Sequence, residues 1–203
     1  MKQFRKGILQ CGGVIGYTGT GKYSHTKDKR AHTVWIGMMK RCYDPNFKSR
    51  LPTYIHCEVC VEWHNFQNFA EWFYKQSHWE DWELDKDIRV KGNKLYSPKT
   101  CGLVPPCINK VFIQRKRTKY LDLPIGVTKL ARRDKTGRIT HYDICSSCKD
   151  GNGKPIFLGY FNSAEEAHEA YRLKKMEVIR GLADQYKNEL SQTMYNALIN
   201  YQV

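Results

Sequence analysis

Apolar side chains return at steps of three and four residues in parts of the chain and at every second residue in others. Trp35, Met38, Met39 and Cys42 stand at helical spacing, and Asp44-Pro45-Asn46 follows with turn residues, which predicts a short amphipathic helix ending there. Trp63, Phe66, Phe69, Trp72 and Phe73 keep a helical period and predict a second helix whose aromatic stripe is a packing face. Base stacking is the other use of such rings, but stacking platforms set them on an exposed basic surface, and these stand at core spacing. Residues 84–88 read as a strand, Gly92-Asn93 as a tight turn, residues 94–96 as a returning strand, and Ser97-Pro98 as a helix start with Pro at the first helical position. Three more strands are predicted around residues 126–130, 139–144 and 155–161, joined by the turns Lys135-Thr136-Gly137 and Asp150-Gly151-Asn152-Gly153. Ser163-Ala164-Glu165-Glu166 is a capping box, and Ala167, Ala170, Tyr171, Lys174, Val178 and Leu182 carry a helix onward from it. That helix covers one sheet face and leaves the other basic and exposed.

A chain of 203 residues with 41% apolar side chains holds enough material for one large or two small domains. The pattern divides it into a basic flexible arm (1–31), a first module (32–112), a basic linker (113–123), a second domain (124–187) and a tail (188–203). Within the arm, residues 16–23 satisfy the GxxxxGK spacing of a phosphate-binding loop, but Tyr23 stands where Ser or Thr must hold Mg²⁺. No strong strand precedes that stretch and no amphipathic helix follows it directly, so it reads as a loop.

Charge narrows the partner. Lys plus Arg number 34 against 20 Asp plus Glu, a formal net charge of +14, which points to a polyanion and to nucleic acid first. Arg115, Lys116, Arg117 and Lys119 crowd the linker, where phosphate contacts are expected. No apolar run reaches the about 18 residues that a membrane span requires, and MKQFRKGILQCGG has no sustained apolar region for a secretory signal; no membrane partner and an intracellular address are expected.

Such an address keeps cysteines reduced, as thiols or metal ligands. Cys57-Glu58-Val59-Cys60 and Cys145-Ser146-Ser147-Cys148 have the spacing with which two thiolates grip one zinc. Cys42, Cys57 and Cys60 with Cys101 form one candidate structural Zn²⁺ set, and Cys107, His56 or His64 could replace its last member. The other reading is that these thiols are small buried apolar side chains, and it is the stronger one for Cys145 and Cys148.

Gly126-Val127, Tyr142, Leu158-Gly159-Tyr160-Phe161, Ser163, Glu165-Glu166-Ala167, Ala170-Tyr171 and Lys174 resemble the Apetala-type DNA-binding domain. The resemblance implies a three-stranded sheet that enters the major groove with a helix packed behind it. By position it places Arg132, Arg133, Arg138 and Lys149 near DNA. Trp35 to Tyr43, Val61-Glu62-Trp63, Leu84-Asp85-Lys86-Asp87, Gly92-Asn93-Lys94, Tyr96-Ser97-Pro98, Cys101, Val104-Pro105 and Ile108-Asn109 resemble the phage HNH-type endonucleases that carry such a domain downstream. The implied fold is α+β: an HNH-like ββα-metal module with flanking helices, then a three-stranded antiparallel sheet packed on one helix.

That resemblance implies a metal-dependent cleavage of double-stranded DNA by a homing-type enzyme in the cytoplasm of a phage-infected host. In the family a strand carries an acidic metal ligand beside a histidine base, a turn Asn orients the base, and a helix supplies a second ligand. Asp85 matches the carboxylate and Asn93 the turn residue; Lys86 falls where the histidine stands, and Thr100 where the helical ligand stands. A lysine is a poor base at neutral pH and suits phosphate better. Asp87, two along a strand from Asp85, shares its face, so both could hold Mg²⁺ or Mn²⁺, with a metal-bound hydroxide or His56 or His64 as base. Read without the family, Asp85-Lys86-Asp87 is a solvated strand end and Asn93 a turn former. The same architecture with its chemistry lost would be a DNA-binding or regulatory protein, and a third reading is a zinc-stabilised protein with a protein or RNA partner.

Overall fold

The first helical pattern becomes α1 (Lys29–Tyr43), which buries Ala31, Trp35, Met38, Met39 and Cys42 along one stripe. Asp44 then ends α1 and caps α2 (Pro45–Arg50), its side chain accepting from the amides of Asn46 and Phe47 with Pro45 at the first turn. The computed structural model describes residues 16–113 and 122–203, and among them the protein is mixed α+β, with six α-helices and one three-stranded antiparallel sheet. The chain divides into two compact units, Met1–Pro105 and Pro106–Val203.

In the first unit the aromatic stripe is split. Val61–His64 is a 3₁₀ turn, and Asn65 breaks it from α3 (Phe66–Phe73) by capping the amide of Gln67. Phe66, Phe69 and Phe73 are wholly buried, Trp35 donates its indole N–H to Trp63 O at 2.7 Å, and Trp63 packs against Phe69 and Trp72. The stripe is a packing face, as its spacing predicts. Residues 16–28 are irregular and lie on α3: Tyr17 bridges Asn65, and the Gln67 amide donates to Thr18 O and Tyr23 O while accepting from Tyr23 N. A β-carbon on Gly16 would stand 2.7 Å from Trp35 and Met39. The GxxxxGK spacing therefore belongs to a packed loop, with α1 beginning at Lys29.

The strand pairing around the acidic segment differs from the predicted hairpin. β1 (Glu58–Val59) pairs in parallel with β3 (Leu95–Tyr96), and β2 (Glu83–Asp85) pairs antiparallel with β4 (Gly102–Val104), Asp85 opposite Gly102. β2 stops at Asp85 and does not run to Ile88, because the Asp85 side chain accepts from the amides of Asp87 and Ile88 and turns the chain out of the ladder. The predicted turn is present: Asn93 N bonds Val90 O, and Gly92 takes φ +75°. Ser97-Pro98 starts one turn, closed by Cys101 N to Ser97 O, and not a helix.

The second unit opens on α4 (Pro106–Phe112). Its sheet has the order β5 (Val127–Arg133), β6 (Ile139–Lys149), β7 (Pro155–Phe161), longer than the pattern predicts for β5 and β6. α5 (Ala164–Gln185) starts at Ser163, whose hydroxyl accepts from Glu166 N, while Glu166 accepts from Asn162 N, one residue earlier than in a regular capping box. Ala167, Ile179 and Ala183 are the buried residues of α5, and Gly126, at φ +86°, leaves room for the Tyr171 ring where a β-carbon would stand 2.2 Å from it. The tail folds into α6 (Gln192–Ile199), capped by Ser191 and held to α5 by Tyr195 OH on Asp184 and Arg180 on Ile199 O.

Candidate functional site

The acidic segment forms a closed loop between β2 and β3. Lys86 Nζ donates to Asn93 O at 2.8 Å, and Asn93 Nδ2 donates back to Lys86 O at 2.9 Å, so two residues seven apart clasp the loop reciprocally. Asn93 also bonds Leu95 through both side-chain atoms, Nδ2 to its carbonyl and Oδ1 from its amide. All the polar capacity of Asn93 described here goes into shaping the loop.

Asp85 is 8% exposed. Its Oδ1 accepts from Asp87 N and Ile88 N, both at 2.8 Å, yet burial pushes its pKa above the ordinary carboxylate value despite those two bonds and the Lys86 charge. Lys86 is 6% exposed; its ammonium sits 2.6 Å from Asp87 Oδ1 and within 6 Å of the Tyr54 and Tyr96 rings, at 5.9 and 5.8 Å. The cation is thus committed inside the loop, where the sequence suggests phosphate. Asp87 is half-exposed and lies beyond the strand end, so it does not share a strand face with Asp85. Thr100 lies in the turn after β3, outside any helix, and its hydroxyl donates to Leu95 O at 2.7 Å. His64 Nε2 is bonded to Tyr43 OH, and His56 is exposed.

Arg89 is the loop residue that spacing did not single out. Its Nε is buried without a hydrogen-bond partner, and burial lowers its pKa. Nothing in an apolar-polar pattern marks such a group; only the accounting of donors does.

Cys42, Cys57 and Cys101 are buried and Cys60 is partly so. Burial pushes the Cys42 and Cys101 thiols up to about 12 and Cys60 up to about 11. Among the described residues no three His, Cys, Asp or Glu side chains are grouped so as to hold a metal ion. Cys145 and Cys148, three apart on β6, face opposite sides of the sheet: Cys145 meets Thr128 on the open face and Cys148 is buried.

That open face is mixed and not simply basic. Arg132 pairs with Asp143, and its guanidinium stacks 5.1 Å from the Tyr160 centroid; His141 Nε2 lies 3.4 Å from the same carboxylate. Arg133 donates to Gly137 O at 2.6 Å. Arg138 and Lys149 are exposed at the ends of β6. Arg115, Lys116, Arg117 and Lys119 lie outside the described residues. Among the described residues no helix is long and apolar enough to cross a membrane.

No family model, curated protein or solved structure matches the chain.

Proposed function

We propose that the chain is a divalent-metal-dependent DNA endonuclease of the phage HNH, homing type, which holds double-stranded DNA through its sheet unit and hydrolyses a phosphodiester at the loop after β2. The observation that carries the reading is Asp85: a carboxyl kept buried at a strand end, at a cost in solvation, beside a half-exposed second carboxylate in a chain of net charge +14. Two hard-oxygen carboxylates suit Mg²⁺ or Mn²⁺, which commonly take one or two with waters and substrate phosphate oxygens completing the shell. When bound at Asp85 and Asp87, such an ion would supply charge stabilisation on the phosphate and a more acidic water.

The chain's own residues divide the remaining work. Lys86 is a positioning residue: its ammonium fixes Asp87 and, with Asn93, the loop that carries both acids. It is a poor base, being charged and already donating. Thr100 shapes the turn and is given no place at the metal.

A second reading has its own observation. Lys86, buried and paired where the family has its base, favours a protein that binds DNA without cutting it. Incubation of the purified chain with supercoiled plasmid and with its native genomic DNA, in Mg²⁺ or Mn²⁺ against EDTA, separates the two. Metal-dependent nicking is expected in the wild type and a loss of about a hundredfold or more in Asp85→Ala and Asp87→Ala. Binding without cleavage would establish the second reading, and cleavage unchanged in both variants would move the site elsewhere.

A further inference from the structure

Phe157 and Tyr160 are three apart on β7, a spacing that sends side chains to opposite faces of a regular strand. Here the β6–β7 register slips: Tyr160 lies opposite Cys145 and Phe157 opposite Ser147, two residues apart on β6, with Gly159 at φ +124° taking up the extra residue. The bulge brings both rings to the face away from α5, where their centroids are 5.2 Å apart. Phe157 is 59% and Tyr160 52% exposed, and Leu130 on β5 adds a third apolar side chain at 42%.

On this face Arg132 pairs through Nε with Asp143, and His141 Nε2 lies 3.4 Å from the same carboxylate. While it gives its Nε–H to Asp143, Arg132 lays its guanidinium 5.1 Å from the Tyr160 ring centroid. The exposed cations stand at the sheet's ends, Lys135 and Arg138 in one turn and Lys149 and Lys154 at the other, while Asp134 and Asp150 in those turns accept backbone amides. The arrangement is a pair of exposed rings on β7 and Leu130 on β5, beside the Arg132–Asp143 pair, between cationic ends, and such ends suit phosphates on either side of base edges.

We infer that this face reads thymine C5-methyl groups in the major groove through Leu130, Phe157 and Tyr160. The inference rests on the double-stranded DNA reading above. The thymine methyl is the groove's only apolar mark, and apolar side chains are what distinguish it.

Duplexes enriched by the full chain from a random pool are remade with uracil in place of thymine, which removes only the methyl groups. Affinity should fall about fourfold for each contacted methyl, the value of one buried carbon. In the Phe157→Ala, Tyr160→Ala double variant the thymine and uracil duplexes should bind alike, with salt-dependent binding retained. Equal affinity of the wild type for both duplexes overturns the inference and leaves the DNA reading standing; so does discrimination that survives in a double variant whose melting curve shows it folded. Failure to bind any duplex overturns both. The wild-type comparison decides the matter by itself if the double variant does not fold.

Discussion

Asp85 sets two requirements against each other. Its Oδ1 holds the amides that end β2, which any oxygen acceptor could do, while its ionisation is penalised by burial. Because the folded pKa is raised above the unfolded value, the proton's contribution to stability is full below the unfolded pKa of about 3.9 and is lost as pH rises through the folded one. Asp85→Asn keeps the acceptor and removes the ionisation. It should therefore melt above the wild type at pH 7 to 8 and lose that advantage near pH 3. Asp85→Ala strands two amides and should cost about 1–3 kcal/mol at every pH in urea unfolding. An Asn variant that melts below the wild type at neutral pH would show that burial is not the dominant influence on this carboxyl.

Helices α1, α3 and α5 were legible because packing follows period, whereas α2 and α4 were not read from the sequence. Trp35, Met38, Met39 and Cys42 are buried on α1, and the cap at Ser163 starts α5. The pairing around Asp85 was not legible, because β2 finds its partner at Gly102–Val104 and the Asp85 side chain, not any break in alternation, ends the strand. Pro98 after Ser97 has the signature of a helix start, but Ser97 and Thr100 spend their hydroxyls on each other and on Leu95, and β4 begins two residues later. Of the candidate site, Asp85, Lys86 and Asn93 were visible as residue types, whereas the clasp between Lys86 and Asn93 and the unpartnered Arg89 Nε depend on the loop's path. The Phe157–Tyr160 pair was hidden by the bulge at Gly159. Two elements can be tested directly. Asn93→Ala should destabilise the first unit by about 1–3 kcal/mol and expose the Leu95 amide to hydrogen exchange. Ser163→Ala should cost the second unit about 1 kcal/mol, read as a shift in its denaturation midpoint without a change in slope. Unchanged exchange at Leu95 would mean that the clasp does not hold the loop.

At the scale of the whole chain, +14 charges and exposed cations at the sheet's ends make phosphate the main source of affinity under the proposed function. The logarithm of affinity for duplex DNA should fall linearly with the logarithm of salt, and Arg138→Ala or Lys149→Ala should each reduce the slope by about 1. A flat salt dependence would argue against phosphate contacts altogether. Cleavage is the sharper question under the proposed function, because Lys86, buried and already paired with Asp87, stands where the resemblance to the HNH type would put a base. The most direct test is cleavage of the native DNA in Mg²⁺ or Mn²⁺ by wild type and Asp85→Asn side by side, on protein whose melting curves are recorded. The account predicts that the wild type cuts and that the Asn variant, folded and more heat-stable at neutral pH, does not. An Asn variant that cuts as fast as the wild type would contradict it.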